Sequence, residues 1–230
     1  MFNACSLLAM ITLIVALIVS GCDVKVKPIP GGKEIAQELE RHKIKRLTQE
    51  DILKAALKHG DSVVVVAQQQ LDARLAEQLA QGGVAAAIPY CQPENYEEVE
   101  ALQHKFGAIA HRTSTRLRNP QNQPDARIAK ELQQYAGSGK QEPQVVALNE
   151  EELLYTAPIY IRNESCLRCH GTPGQELAEA DYTLIKQQYP EDKAINYKMG
   201  DQRGLWYITF DKMDLIAYLN DQPKKSRRRK

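Results

Sequence analysis

Cys166-Leu167-Arg168-Cys169-His170 constrains this chain more than any other feature. Two thiols separated by two residues can each add across one haem vinyl group, and the adjacent imidazole can then reach the iron as an axial ligand. In a chain of five Cys and five His, a chance match is roughly a one-in-several-hundred event. A structural zinc site would want a second pair of ligands at similar spacing, and no second Cys pair exists. A thioredoxin-like pair would want a strand directly before the motif and would not require His170. A Cys166–Cys169 disulfide would need only an oxidising compartment. The motif therefore predicts one haem c per chain, bound covalently through Cys166 and Cys169 with His170 on the iron.

Export agrees with that reading, because covalent haem attachment in bacteria takes place outside the cytoplasm. Leu7 to Val19 is apolar apart from Thr12 and is followed by Val19-Ser20-Gly21-Cys22. The run is short for a membrane span and suits the apolar region of a signal peptide over residues 1–21. The last four residues resemble a bacterial lipobox, which implies lipidation of Cys22 and a membrane tether. Met1 to Ala4 lacks Lys and Arg, so an uncleaved N-terminal anchor over Ala4 to Ser20 is the alternative. Either arrangement puts the body on the periplasmic side of a membrane. Asp23 after Cys22 resembles the signal that retains lipoproteins at the inner membrane.

The 30 basic side chains nearly balance 29 acidic ones, but six of the basic ones lie in Lys224 to Lys230. The body is mildly acidic, and no nucleic-acid partner is expected. The basic tail, within residues 213–230, reads as a solvated end, or as a contact for anionic lipid headgroups.

Residues 22–50 read as a lipid-anchored linker and helical lead-in, and residues 51–212 as one domain. Thr48 and Asp51 are spaced as an N-cap pair before Ile52 and Leu53. Gly60-Asp61 interrupts the helical pattern, which resumes to Gln81 and ends at a Gly82-Gly83 C-cap. Arg112 to Pro124 is polar and punctuated by prolines, and Asp125 to Tyr135 is helical. Strands are expected at Val145–Leu148, Leu153–Ile161 and Gly204–Phe210, with a helix over Glu176 to Tyr189. Helices first and short strands later indicate an α+β domain with a mostly antiparallel sheet.

Cysteine arithmetic singles out one more residue. With Cys5 removed, Cys22 lipidated and the motif pair in thioethers, Cys91 is the remaining free thiol. Its thiolate could be the second axial ligand of the iron, which would lower the haem potential; alternatively it is a small buried apolar residue. Met199, His111 and His104 are the competing ligands, and Met199 would raise the potential. His42 and His59 sit among Lys and Arg and look solvent-facing. Arg112, Arg116 and Arg118, at near-alternate positions of an extended segment, are candidate partners for the haem propionates.

Arg112-Thr113-Ser114, Arg118-Asn119-Pro120, Tyr155-Thr156-Ala157-Pro158-Ile159, the Cys166–Gly171 motif, Tyr189-Pro190-Glu191-Asp192 and Gly200-Asp201-Gln202-Arg203-Gly204 follow one another in this order. Together they resemble a bacterial family of single-haem, PAS-like sensor domains, long catalogued as a domain of unknown function and found alone or before histidine kinases. The resemblance runs from about Asp51 to Phe210. It implies a five-stranded antiparallel sheet with flanking helices and long N-terminal helices. It also implies a Cys ligand opposite the proximal His, in a segment of the form matched by Ala87-Ile88-Pro89-Tyr90-Cys91.

The expected function is redox or small-gas sensing through a change in axial ligation, not enzyme catalysis, with the output passed to an unidentified signalling or redox partner protein. A periplasmic electron-transfer cytochrome is the alternative. A haem peroxidase-like enzyme would need an acid–base residue, with His111 or His104 the candidates.

Overall fold

Thr48 Oγ1 accepts the Asp51 backbone N–H at 3.2 Å, and Asp51 Oδ2 accepts the Thr48 N–H at 2.9 Å. This reciprocal capping box starts the longest helix where the sequence places it. The computed structural model describes residues 29–41, 46–138 and 142–222. The expected signal peptide, Cys22, His42, most of the linker and the basic end of the tail lie outside the described residues.

The chain divides into two units, Met1–His42 and Lys43–Lys230. In the first, α1 (Gly32–Arg41) carries Ile35 and Leu39 exposed, one helical turn apart. In the second, α2 (Gln49–Ala87) is followed by α3 (Glu97–Phe106), β1 (Ala108–Thr113), α4 (Ala126–Ser138), β2 (Gln144–Ala147) and β3 (Glu152–Tyr160). Then come α5 (Glu164–His170), α6 (Glu179–Gln188), β4 (Gln202–Asp211) and α7 (Lys212–Asp221). No helix among the described residues is long and apolar enough to cross a membrane.

The helix α2 does not stop at Gly60-Asp61 as the sequence suggested. Gly60 is buried, and a Cβ there would stand 2.3 Å from Cδ2 of Tyr155, so the glycine is where helix and sheet touch. Beside it the Tyr155 hydroxyl donates to Asp61 Oδ1 at 2.8 Å. The interruption falls instead at Gly82 and Gly83, the latter at φ +66°, a region a glycine enters without a Cβ clash. The chain re-enters helix to Ala87, so this glycine pair is a kink rather than an end.

The sheet has the order β1-β4-β3-β2 with every pair antiparallel, and the domain is α+β. Residues alternate across it. Leu153, Tyr155 and Ala157 of β3, with Trp206, Ile208 and Phe210 of β4, join the core with Ile52, Ala56, Val63 and Ala67 of α2. On the other face Leu205 meets Leu132 and Tyr135 of α4, and the Tyr135 hydroxyl reaches the Thr156 carbonyl at 3.1 Å.

The expected fifth strand is absent among the described residues. The chain leaving β1 bends at once and turns through a short 3-10 segment, Pro120–Asn122. This stretch therefore makes a turn instead of pairing as a strand with the sheet. His59 also differs from expectation: it is buried, with its ring centroid 4.2 Å from that of Phe106 and 5.2 Å from that of Tyr218.

Candidate cofactor site

Asn163 caps α5: its side-chain oxygen accepts the Cys166 N–H at 3.2 Å. Cys166, Cys169 and His170 then fall at helical spacings of three and four, which set side chains on one face. All three line a cavity of about 370 Å³ between α5, α2 and the end of the sheet. Leu71, Leu75 and Leu79 of α2 and Ile159, Ile161 and Trp206 supply apolar walls.

A strap over residues 192–197 fixes His170. The His170 ring places Nδ1 2.7 Å from the Ala194 carbonyl oxygen. A carbonyl can only accept, so Nδ1 carries the proton and Nε2 keeps its lone pair. Burial first, then the Arg203 and Arg118 guanidiniums, hold this imidazole well below the ordinary histidine pKa. It is a neutral, pre-oriented donor, the state a metal ligand requires. The strap continues with Tyr197 N–H to the His170 carbonyl at 2.9 Å, past Asn196 at φ 61°.

Arg118 organises this side. Its Nε and Nη2 bind Asp192 at 3.2 and 3.1 Å, and Nη2 also donates to the Cys169 carbonyl at 2.6 Å and the Ala194 carbonyl at 3.3 Å. Asp192 in turn accepts the Ala194 N–H at 2.8 Å. One buried ion pair thus supports both the second cysteine and the carbonyl that orients His170.

Cys91 lines the same cavity. It lies between two 3-10 turns, Ile88–Tyr90 and Pro93–Asn95, beyond the glycine kink. Arg112 latches this segment: Nε meets Glu94 Oε2 at 2.8 Å and Nη2 donates to the Cys91 carbonyl. The Tyr96 hydroxyl donates to the Tyr90 carbonyl. Burial pushes the Cys91 thiol up, while Arg112, Arg118 and Arg203 pull it down. Burial, and after it Cys91, pushes the Cys169 thiol up to about 12. Cys169 packs with Val84 and Ile88, which tie the motif to the Cys91 segment.

The three candidate arginines do not share a face. Beyond Thr113 the backbone bends, so the alternation expected of an extended segment lapses. Arg112 and Arg118 line the cavity, each with its own carboxylate. Arg116 turns away, stacks 3.5 Å above the Tyr197 ring centroid and donates to the Ile195 carbonyl at 2.8 Å. Met199, His104 and His111 do not line the cavity. Met199 is 50% exposed, His104 is exposed on α3, and His111 is exposed on β1, stacked on Tyr207 at 5.2 Å.

Sequence reasoning missed Arg203, Asp192 and Glu94. Arg203 lines the cavity, and its Nε is shut off from solvent with no hydrogen-bond partner. Arg203 and Asp192 lie within motifs already noted, but only the folded chain brings them to the cysteines. The donor set fits a haem: two thiols on one helical face, an imidazole with a free Nε2, a cysteine on another wall, apolar sides, and the Arg203 guanidinium, whose Nε has no hydrogen-bond partner among the described residues.

A family model described as Tll0287-like matches residues 54–210. Among solved structures, the crystal structure of the cyanobacterial haem protein Tll0287 is similar over 64% of this chain and 92% of that one. The identity is 23% and the TM-score 0.46. No curated protein matches.

Proposed function

The chain belongs to the Tll0287-like family, and from that premise we propose that it is an exported, membrane-tethered protein. It carries one c-type haem on Cys166 and Cys169 and senses redox state or a small gas through its axial ligands. His170 is the proximal ligand and Cys91 the second. The observation that carries this reading is the lining of one cavity by Cys91 together with Cys166, Cys169 and His170, while Met199, His104 and His111 lie outside it. A bound haem would supply an iron that exchanges one electron and whose preferred ligands depend on its charge.

The chain's own groups are arranged to respond to that charge. His170 stays oriented by the Ala194 carbonyl whatever happens opposite it, because its support comes from Arg118 and Asp192. Cys91 is different. Burial favours its thiol and outweighs the three arginines that favour its thiolate, so without a further positive charge nearby the proton stays on Sγ. A neighbouring centre of higher positive charge favours loss of that proton, and one of lower charge favours its return. The segment that bears Cys91 is made of two short 3-10 turns held by the Arg112 latch, a hinge-like connection. Release of Sγ would leave that segment with fewer restraints and open a position for a small gas. Such a two-state element is what a sensor needs.

Met199 as ligand would have favoured the electron-transfer alternative, and the enzyme alternative looked to His111 or His104. All three are exposed outside the cavity, so neither alternative gains support from the site.

The test is an optical and EPR spectrum of the matured protein, ferric and then dithionite-reduced, beside Cys91→Ala. The expected result is a low-spin ferric thiolate signature that Cys91→Ala abolishes and that wild type loses on reduction. A variant identical to wild type would rule out Cys91 as ligand. A protein that yields no covalent haem in the alkaline pyridine assay would end the haem reading altogether.

A further inference from the structure

Among the described residues, Nε of Arg203 is the buried side-chain nitrogen or oxygen without a hydrogen-bond partner. A guanidinium brings five donors, and here the other contacts are poor ones. Nη1 approaches the Arg116 carbonyl at 3.4 Å, and Cζ stands 5.4 Å from the Tyr197 ring centroid. Arg118 has Asp192 and Arg112 has Glu94, but Arg203 forms no ion pair among the described residues. Burial first lowers its pKa, to about 10; Tyr197 and, least, Asp192 favour the charge, while Arg118 and Arg112 oppose it.

A guanidinium drawn partly out of water with no carboxylate beside it is costly, and natural proteins rarely keep one without use. The rim of the cavity adds one carboxylate, Asp72, which is exposed and already accepts Gln68 Nε2 at 2.8 Å. The cavity therefore holds three guanidiniums, two of them neutralised from behind by carboxylates that do not line it. Arg203, which also lines the cavity, is left without a carboxylate of its own among the described residues.

We propose that Arg203 is an anion receptor that takes a carboxylate entering the cavity, and that this carboxylate is a propionate of the bound haem. Arg116, committed to Tyr197 and the residues 195–196 carbonyls, has no part in it. The assignment rests on the haem reading above and adds to it the residue that receives the cofactor's acid group. Arg is suited to this because its fork matches a carboxylate with two parallel donors.

The experiment uses the full haem-loaded chain as wild type, Arg203→Lys and Arg203→Gln, with Arg127→Gln, an exposed arginine outside the cavity, as the control. Haem propionates are labelled with carbon-13, and two properties are read. One is the propionate bending band in resonance Raman spectra; the other is the acid-side inflection in the pH dependence of the midpoint potential. Loss of an opposing charge at hydrogen-bond range raises a carboxyl pKa by about 1–3 units. The inflection in Arg203→Gln should therefore move up by about that much and the labelled band should shift. Arg203→Lys should move both less, and Arg127→Gln should superimpose on wild type.

A free carboxylate is the other source of the same chemistry. If the labelled band is indifferent to Arg203→Gln but added acetate shifts the wild-type inflection and not the variant's, the anion receptor stands and its ligand is a free carboxylate. Haem-loaded Arg203→Gln that matches wild type in band, inflection and acetate response would overturn the proposal. If Arg203→Gln does not mature, the same comparisons on Arg203→Lys decide. Absence of covalent haem in wild type would be a failure of the haem reading, distinct from any of these outcomes.

Discussion

Asp192 holds Arg118 by both Nε and Nη2, at 3.2 and 3.1 Å, and Arg118 carries that grip to the Cys169 carbonyl at 2.6 Å. The pair is shut away from solvent, with Asp192 fully buried and Arg118 9% exposed. Removing one member leaves the other as an uncompensated buried charge. Asp192→Ala should cost about 3–5 kcal/mol in urea unfolding. The double variant Asp192→Ala with Arg118→Met should lose clearly less than Asp192→Ala alone, because no charge is stranded. If the two variants unfold alike, the Arg118–Asp192 pair does not support the second cysteine.

Arg112 does for Cys91 what Arg118 does for Cys169. Its contacts with Glu94 and the Cys91 carbonyl hold a short segment that has no strand or long helix to rely on. Truncating it leaves a half-buried carboxylate and a carbonyl unpaired, a loss of about 1–3 kcal/mol. That loss should fall on the local equilibrium of the segment. In Arg112→Ala, ferric EPR is expected to show a mixture of thiolate-ligated and thiolate-free forms, with covalent haem content unchanged. A single wild-type signal in the loaded variant would show that the latch does not hold the ligand.

Gly60 and Tyr155 meet so closely that no side chain fits between them. A Cβ at 2.3 Å from the ring must push Tyr155 or part α2 from β3, and overpacking of this kind costs about 1–3 kcal/mol. Gly60→Ala should lower the urea midpoint by that amount, against the usual gain for Gly→Ala within a helix. Tyr155→Phe, which removes only the hydrogen bond to Asp61, should cost about 0.5–1.5 kcal/mol. A stabilised Gly60→Ala would contradict the packing.

The pattern of these contacts explains what could be read in the sequence. The Thr48–Asp51 cap, the core strands at Leu153–Ile161 and Gly204–Phe210, and the motif cysteines are local signals, and each stands within a residue or two of its expected place. Gly60 was misread because an isolated glycine marks a helix break and a close tertiary contact in the same way. His59 looked exposed because its sequence neighbour Lys58 is, yet helix geometry turns adjacent residues about 100° apart. Arg203 could not be singled out at all. Its importance comes from three segments, around Arg112, Arg118 and Arg203, converging on one cavity, and nothing within any of them records the other two.

The membrane tether is a separate expectation, resting on Val19-Ser20-Gly21-Cys22. Cells fed labelled palmitate should yield labelled full chain, and Cys22→Ala should abolish the label and release the protein from the membrane fraction. Membrane retention of an unlabelled Cys22→Ala chain would instead favour the uncleaved anchor.

His59 gives the fold an acid-sensitive point. Its pKa is lowered by burial first and then by Lys58 and Lys105, while the faces packed against it belong to Phe106 and Tyr218. The native state therefore favours the neutral ring more than the unfolded chain does. Above the ordinary value of 6.5 both states are neutral and the contribution is fully present. As pH falls below 6.5 the unfolded state takes the proton first, so stability declines until the pH has passed the lowered native value. The slope from this one group cannot exceed about 1.4 kcal/mol per pH unit. Urea midpoints of haem-loaded wild type and His59→Gln at about pH 7.5 and about pH 5 isolate the effect, since every other group is common to both. Wild type should lose more on acidification than the variant, whatever their difference at the higher pH. Equal losses would mean that His59 takes up its proton without strain, and that the aromatic contacts around it are looser than the ring distances indicate.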